Sequence, residues 1–264
     1  MFRKIKQTFR RPFRSLQNIL NWMLEPRKHP WPFIPIKLLG KYTMNGKMKI
    51  KYLYLNDAYP PDKPLIYRKE EIDSLIEKIK CKSILAYGKT DLWLYQALEK
   101  FPVKGKEVAI MGSTRPTYES ICIFFGGKPT TIEYNTIVSE DDRLKTITVA
   151  KFDKSPMKFD MAFSISSFEH DGLGRYGDQL NPDGDLLAMA KMKSILKPNG
   201  ILFLAIPVGR DVLVWNAHRI YGINRLPLLL KNWKCLDAYG YSEDLLGINN
   251  ELGEMQPVFV LMNI

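Results

Sequence analysis

The sequence predicts a three-layer α/β fold on a doubly wound, mostly parallel sheet of seven strands. Three observations carry that reading. Short apolar runs alternate with segments of helical periodicity from residue 68 onward. The runs are almost continuously apolar, as strands covered on both faces are. Glycine and proline punctuate their boundaries. Repeated strand–helix–strand units of this kind build a parallel sheet with helices on both sides.

The elements follow in order. RKEEIDSLIEKIKC sets Ile72, Leu75, Ile76 and Ile79 at helical spacing. Residues 83–88 are a short apolar run ending in glycine, and 90–101 read as a helix with Thr90 at its N-cap. Residues 107–112 predict the first sheet strand, ending at Gly112. Residues 116–127 predict a helix with Pro116 at its first position and Gly126 and Gly127 at its close. Residues 129–135, 144–150 and 159–166 predict three more strands. A helix over 185–200, ended by Pro198 and Gly200, leads into a fifth strand at 201–209. A helical stretch is expected at 211–231, then strands near 234–240 and 257–263.

The chain has 264 residues, 45% of them hydrophobic and 25% charged, which excludes collagen, general disorder and a disulfide mini-scaffold. No apolar run approaches the roughly 20 residues of a membrane-spanning helix. Cys81, Cys122 and Cys235 are scattered, so neither a disulfide framework nor a zinc knuckle is expected. A reducing, cytoplasmic setting follows as an expectation.

Charge is unevenly placed. Residues 1–51 carry 13 Lys or Arg and a single acid, Glu25, whereas the rest of the chain holds 26 basic and 27 acidic residues. Phe2, Ile5, Phe9, Phe13, Leu16, Ile19, Leu20 and Met23 fall on one helical face, with Arg3, Lys4, Lys6, Arg10, Arg11 and Arg14 opposite. Pro12 would kink that helix. The pattern lacks the apolar core of a secretory signal. Two readings stand: the arm packs on its own domain, or residues 1–24 lie on an anionic membrane as a peripheral anchor. Nucleic acid is a weaker third. Pro30, Pro32 and Pro35 then predict an extended connector, with Trp31, Phe33 and Ile36 docked on the body. The boundaries expected are 1–51 for arm and connector, 52–104 for a helical extension and 105–264 for the main domain.

In a doubly wound sheet, ligands bind at the carboxyl ends of the strands. Gly112, Ser113 and Thr114 follow the first strand and precede a helix N-terminus, a setting that suits a polar or anionic group. Glu133 ends the next strand, where a carboxylate can accept two ribose hydroxyls. Read separately, Gly112 is a tight turn and Glu133 a solvated strand end. Together they point to a nucleoside cofactor.

Here the chain resembles the class I S-adenosylmethionine-dependent methyltransferases, whose sheet is Rossmann-like, over roughly residues 105–264. VAIMGS is similar to the first strand and glycine loop of that superfamily, TIEYN to its second strand with the ribose-binding acid, FDMAFSISSFEH to its fourth strand and LKPNGILFLAIP to its fifth. SSFEHDGLGRYGDQLNPDGD resembles, more narrowly, an uncharacterised family known as a domain of unknown function. The resemblance implies S-adenosylmethionine held by Gly112, Ser113, Glu133, Tyr134, Ser164 and Ser166. Ile110 stands where the superfamily has an acid, and Thr114 and Pro116 stand where it has later glycines.

The segment after the fourth strand holds Glu169, His170, Asp171, Arg175, Asp178, Asp183 and Asp185. His170, with Glu169, either takes the proton of an attacking acceptor or anchors the loop. The four aspartates raise a magnesium or calcium site, but turn and capping chemistry explains them better, and no metal is expected. Arg175, Tyr176, Arg210, Trp215 and His218 are candidates for an acceptor pocket, the arginines suiting a carboxylate or phosphate. The expected activity is methyl transfer to oxygen or nitrogen of a small-molecule or glycan-type acceptor. The rival is a methyltransferase-like fold that has lost catalysis and serves as a binding or scaffold module. SSFEH lacks the Asn-Pro-Pro-aromatic signature, which argues against a nucleic-acid substrate.

Overall fold

A computed structural model describes residues 32–57 and 64–264. Helix α1 spans Ile36–Tyr42, followed by strands β1 (Lys49–Leu53) and β2 (Leu65–Tyr67). Helices α2 (Lys69–Lys80) and α3 (Lys89–Lys100) precede β3 (Glu107–Met111), α4 (Thr117–Phe124), β4 (Lys128–Glu133), β5 (Ile137–Ser139) and β6 (Lys145–Thr148). Then come α5 (Val149–Lys154), β7 (Phe159–Ile165), α6 (Gly184–Ile195) and β8 (Leu196–Ala205). The chain closes with β9 (Val212–Asn216), β10 (His218–Ile220), α7 (Leu226–Leu229), β11 (Trp233–Tyr239) and β12 (Val258–Asn263).

The central sheet has seven strands in the order β11-β12-β8-β7-β3-β4-β6. Strands β6, β4, β3, β7 and β8 run parallel, and β12 is antiparallel to both β8 and β11. The chain starts in the middle at β3, winds outward through β4 and β6, then crosses back to β7 and β8. This is the expected three-layer, doubly wound architecture with an antiparallel closing hairpin.

Period-two alternation sorts the strand residues between two cores. Val108 and Ile110 of β3 face Ile79 of α2, Leu94 and Leu98 of α3 and Ile121 of α4. Ala109 faces the opposite layer with Phe152 of α5 and Met189, Met192 and Ile195 of α6. Each fully buried Leu, Ile or Phe contributes about 1.5–3 kcal/mol, offset by the entropy of ordering the chain.

Several expectations are corrected. The stretch 211–231 is not a helix: it forms β9 and β10, and only Leu226–Leu229 is helical. Val212 and Val214 are β-branched and buried, and β9 finds a partner about 160 residues upstream, pairing in parallel with β1. Strand β10 flanks it antiparallel. The helix expected to 200 ends at Ile195, and β8 begins before Pro198. Thr90 does not cap α3; its hydroxyl donates to the Gln256 carbonyl at 2.7 Å. Asp91 does the local work instead, accepting N–H groups of Leu85, Ala86 and Tyr87 at 2.8, 2.7 and 3.2 Å. The connector is not extended throughout, because α1 starts directly after Pro35, the last of its prolines. Phe33 and Ile36 are exposed rather than docked. Trp31 and the amphipathic pattern of residues 2–23 lie outside the described residues. No helix among the described residues is long and apolar enough to cross a membrane.

Candidate functional site

A cleft opens over the carboxyl ends of β3, β4 and β7, where the strand order reverses. It has two lobes that share Gly112, Glu133, Tyr134, Ser167, Asp171 and Asp178. The larger, about 460 Å³, is walled by Asp57, Tyr87, Thr114, Ser166, His170 and Tyr176. The smaller, about 290 Å³, is more apolar, with Met111, Ile132, Val149, Leu187 and Met192. Both sizes suit parts of a small organic ligand.

Gly112 ends β3 with φ +66°, a conformation that L side chains avoid. A Cβ there would lie 2.2 Å from Ser167 Oγ, so glycine is needed for space as well as for conformation. Beneath the turn, Ser113 points away from the cleft. Its hydroxyl lies 3.0 Å from Glu119 Oε2, and Tyr67 donates to its carbonyl at 2.9 Å. Glu119 is fully enclosed and also accepts Thr131 Oγ1 at 2.6 Å. Burial pushes its carboxyl up to about 7.

Glu133 ends β4 one strand away and lines both lobes. One carboxylate oxygen takes a long 3.4 Å contact from the Asn135 N–H, which leaves capacity for further donors. Burial raises its pKa. Tyr134 beside it is exposed and lines both lobes.

The third wall follows β7. Ser164 is fully buried within the strand and does not line the cleft. Ser166 holds φ +52°, a conformation rare outside glycine, and faces the larger lobe. Its hydroxyl donates to Glu169 Oε1 at 2.7 Å. Glu169 is buried with no partner for Oε2 among the described residues, and burial raises it to about 7. His170 lines the larger lobe and sits 2.6 Å from the Ala217 carbonyl through Nδ1. Its Nε2 lies 3.7 Å from Glu169 Oε1. Burial, helped by Arg175, lowers the imidazole to about 3, so it is neutral near pH 7. Asp171 lines both lobes, and its carboxyl accepts no hydrogen bond from the described residues. Burial, with Asp178 beside it, raises it to about 8.

The four aspartates divide their tasks. Asp178 Oδ2 accepts the Gly172 and Gly174 N–H groups at 2.7 and 3.2 Å, which is turn chemistry. Asp183 occupies the N-cap position of α6 without a side-chain capping bond. Asp185 is fully buried among Arg225, Arg219 and Tyr221. Those arginines come from the insertion between β8 and β11. Arg219 donates to the carbonyls of Asp171, Asn181 and Pro182, and Arg225 to that of Pro182. The insertion thereby fixes the loop that carries Glu169, His170 and Asp171.

The acceptor-pocket expectation is corrected in part. Tyr176 lines the larger lobe. Trp215 is fully buried and packs edge-on against Tyr42 in a separate core, because β9 turns it inward. Arg210 donates to the Gly247 carbonyl. Arg175 pairs with Asp57 at 2.8 Å and lies over the Tyr176 ring. His218 sits behind His170, its Nε2 3.1 Å from the Glu251 carbonyl. Ser113 and Ser164 are likewise corrected as cleft residues. Sequence reasoning missed Asp57, Tyr87, Asn135 and Ser167. Asp57 and Tyr87 reach the cleft from segments preceding β3, and only the Asp91 clamp on residues 85–87 hints at the latter.

The family described as Caenorhabditis protein of unknown function, DUF268, matches residues 105–259. No curated protein matches the sequence. Among solved structures, the chain is similar to the 1,6-didemethyltoxoflavin-N1-methyltransferase of Burkholderia thailandensis, solved with 1,6-didemethyltoxoflavin and S-adenosylhomocysteine. Identity is 16% over 77% of this chain and 93% of that one, with a TM-score of 0.47. It is also similar to the N-methyltransferase NodS of Bradyrhizobium japonicum WM9, in complex with S-adenosylhomocysteine: 13% identity, 66% and 85% coverage, TM-score 0.43. TehB of Haemophilus influenzae matches at 12% identity, 71% and 65% coverage and a TM-score of 0.44.

Proposed function

The chain belongs to the DUF268 family, and we propose that it is an S-adenosylmethionine-dependent methyltransferase acting on oxygen or nitrogen of a small-molecule or glycan-type acceptor. The observation that carries the reading is the pairing of Gly112 and Glu133 across the cleft, at the carboxyl ends of adjacent strands beside the switch point. Glu133, with acceptor capacity to spare, would hold the ribose hydroxyls. Met111, Ile132, Val149 and Leu187 of the smaller lobe would enclose the base. The Gly112 turn, packed under Ser167, sets its backbone at the edge of both lobes. When bound, the cofactor supplies a methyl group on a good leaving group.

The chain's own residues supply positioning and proton handling. His170 presents a neutral imidazole, with Nδ1–H committed to the Ala217 carbonyl. Its Nε2 is left as an acceptor that can orient an N–H or O–H of the incoming substrate. As a strong base it is poorly matched, because a proton acceptor works best with a pKa near the working pH. Asp171 meets that condition better.

Calorimetric titration with S-adenosylmethionine and S-adenosylhomocysteine tests the reading. Both should bind, and Glu133→Ala should weaken binding by a few kcal/mol with the fold intact, at roughly 1.5–3 kcal/mol per charge-assisted bond. Failure of both to bind at millimolar concentration leaves the scaffold reading.

The membrane partner is part of the proposal. The strongly basic residues 1–24 precede a surface on which Phe33, Ile36, Leu39 and Tyr52 are exposed beside Lys37, Lys41, Lys47 and Lys49. Residues 33–53 contain no acid. Exposed bulky apolar side chains among lysines suit an anionic lipid surface.

A further inference from the structure

We propose that the acceptor taken by the larger lobe is a cationic amine. This rests on the methyltransferase reading above and names its substrate class. The walls supply carboxyl groups and phenol rings: Glu133, Asp171 and Asp178 with Tyr87, Tyr134 and Tyr176. Among the described residues lining that lobe there is no Lys or Arg. The Arg175 guanidinium is engaged by Asp57, by the Ala217 carbonyl at 3.4 Å and by the Tyr176 ring, and that of Arg219 by loop carbonyls and Asp185. The Nε–H and one Nη1–H of Arg175 are thereby committed.

Two features make this more than an accumulation of acids. Glu133 has a task in holding ribose, and Asp178 has one in closing its turn, but the Asp171 carboxyl accepts no hydrogen bond from the described residues although it lines both lobes. An unmatched acceptor in a cleft wall calls for a donor, and a charged donor satisfies it best. Two of the phenol rings, those of Tyr87 and Tyr176, are also held in place. Tyr87 stacks on Tyr118 at 6.5 Å, and Tyr176 meets the His170 ring edge-on at 5.6 Å. Fixed aromatic faces beside carboxylates recognise ammonium groups.

The same group answers the chemistry. An ammonium nitrogen has no lone pair. Ionised Asp171 takes one proton from it: the N–H bond breaks, its electron pair stays on nitrogen, and a carboxylic O–H forms. The amine becomes a neutral nucleophile within the cleft. The groups that set the charge on Asp171 are Asp178 and Glu169 on its own loop, Asp185 on α6 and Arg219 on β10.

The test uses three probes that share one ring: benzylamine, benzyl alcohol and benzoate, followed by ligand-observed NMR on the full chain with S-adenosylhomocysteine present. Benzylamine should bind at least about tenfold more tightly than benzyl alcohol, a gap of roughly 1.4 kcal/mol, and benzoate should bind most weakly. The preference should grow as pH rises from 6 to 8 and shrink in Asp171→Asn. Benzoate binding as well as benzylamine, no benzylamine binding at tens of millimolar, or an unchanged preference in Asp171→Asn would each overturn the proposal. Titration of the same sample with S-adenosylhomocysteine separates the two readings. Cofactor binding without amine preference sinks only the amine. Amine preference without cofactor binding sinks only the methyltransferase.

Discussion

Nδ1 of His170 lies 2.6 Å from the carbonyl oxygen of Ala217. A carbonyl only accepts, so the contact fixes the tautomer: Nδ1 carries the hydrogen and Nε2 the lone pair. It also ties the loop after β7 to the turn between β9 and β10, so the insertion sets the orientation of a cleft residue.

That burial makes the protein acid-sensitive. His170 and His218 are lowered to about 3 and about 4, chiefly by desolvation, from an ordinary value of 6.5. Below pH 6.5 the unfolded chain takes up these protons while the folded chain does not. Stability from this source is therefore full above about 6.5 and falls as the pH drops toward 3–4. His170→Asn, whose amide can still donate to Ala217, should show a shallower loss of urea midpoint between pH 6.5 and 4.5. An equally steep loss would show that other groups govern acid unfolding.

Glu169 runs the other way. Its carboxyl is raised to about 7, so its contribution is intact below about pH 4.5 and declines as pH rises through 7. Ionising it leaves a buried charge with an unpartnered oxygen. Glu169→Gln keeps an acceptor for Ser166 and cannot ionise. The variant should match the wild type at pH 5 and melt several degrees higher at pH 8. A wild-type advantage at pH 8 would mean that something on the cleft side matches the ionised form.

The Asp185 cluster anchors the cleft loop. Burial alone would raise this carboxyl, but Arg219 and Arg225 hold it below its ordinary value. Arg225 Nε is 2.9 Å away and Tyr221 Oη 3.0 Å. Removing one partner of a buried pair costs about 3–5 kcal/mol, because the other charge is left uncompensated. Asp185→Asn should lose that much by denaturant unfolding. A loss under about 1 kcal/mol would mean the guanidiniums are satisfied by loop carbonyls alone.

Gly112→Ala introduces two faults: a side chain at φ +66° and a Cβ 2.2 Å from Ser167 Oγ. The strained conformation costs about 1–3 kcal/mol, and the clash would displace Ser167 at the edge of both lobes. Cofactor affinity should fall sharply, and Ser167→Gly in the same chain should restore part of it by removing the clashing atoms. No rescue would place the whole effect in the backbone.

How far the sequence reveals this molecule follows from what each residue depends on. Strands β3, β7 and β8 were readable because both faces are buried, which forces near-continuous apolar runs. Gly112 and Glu133 were readable because strand ends one unit apart come together in any such sheet. Strand β9 was not. A run such as DVLVW fits a buried helix or a buried strand, and the choice is made by β1, which is far away in sequence. Arg219 and Arg225 were equally hidden. A buried arginine reads as a surface charge until the loop carbonyls and Asp185 that satisfy it are brought together. Asp171 looks like turn chemistry in the sequence because nearby Asp178 does perform that task.

The basic surface near α1 gives the final prediction. Ile36 and Leu39 lie one helical turn apart and are exposed, and the Phe33 and Tyr52 rings meet edge-on at 6.2 Å beside them. Each lysine or arginine near an anionic membrane contributes about 1 kcal/mol, falling off within a Debye length of roughly 10 Å at 0.1 M salt. Buried apolar side chains add to that and do not respond to salt in the same way. The full chain should therefore co-sediment with phosphatidylserine vesicles, less so with neutral ones, and release as salt is raised. Removal of residues 1–24 should weaken binding severely, and Ile36→Asp with Leu39→Asp should weaken it further. Ile36 and Leu39 are exposed, so the double variant should keep its melting temperature within a few degrees. Equal sedimentation of all forms, or none at low salt, would refute membrane contact. A large drop in melting temperature on truncation would instead show that the arm packs on its own domain.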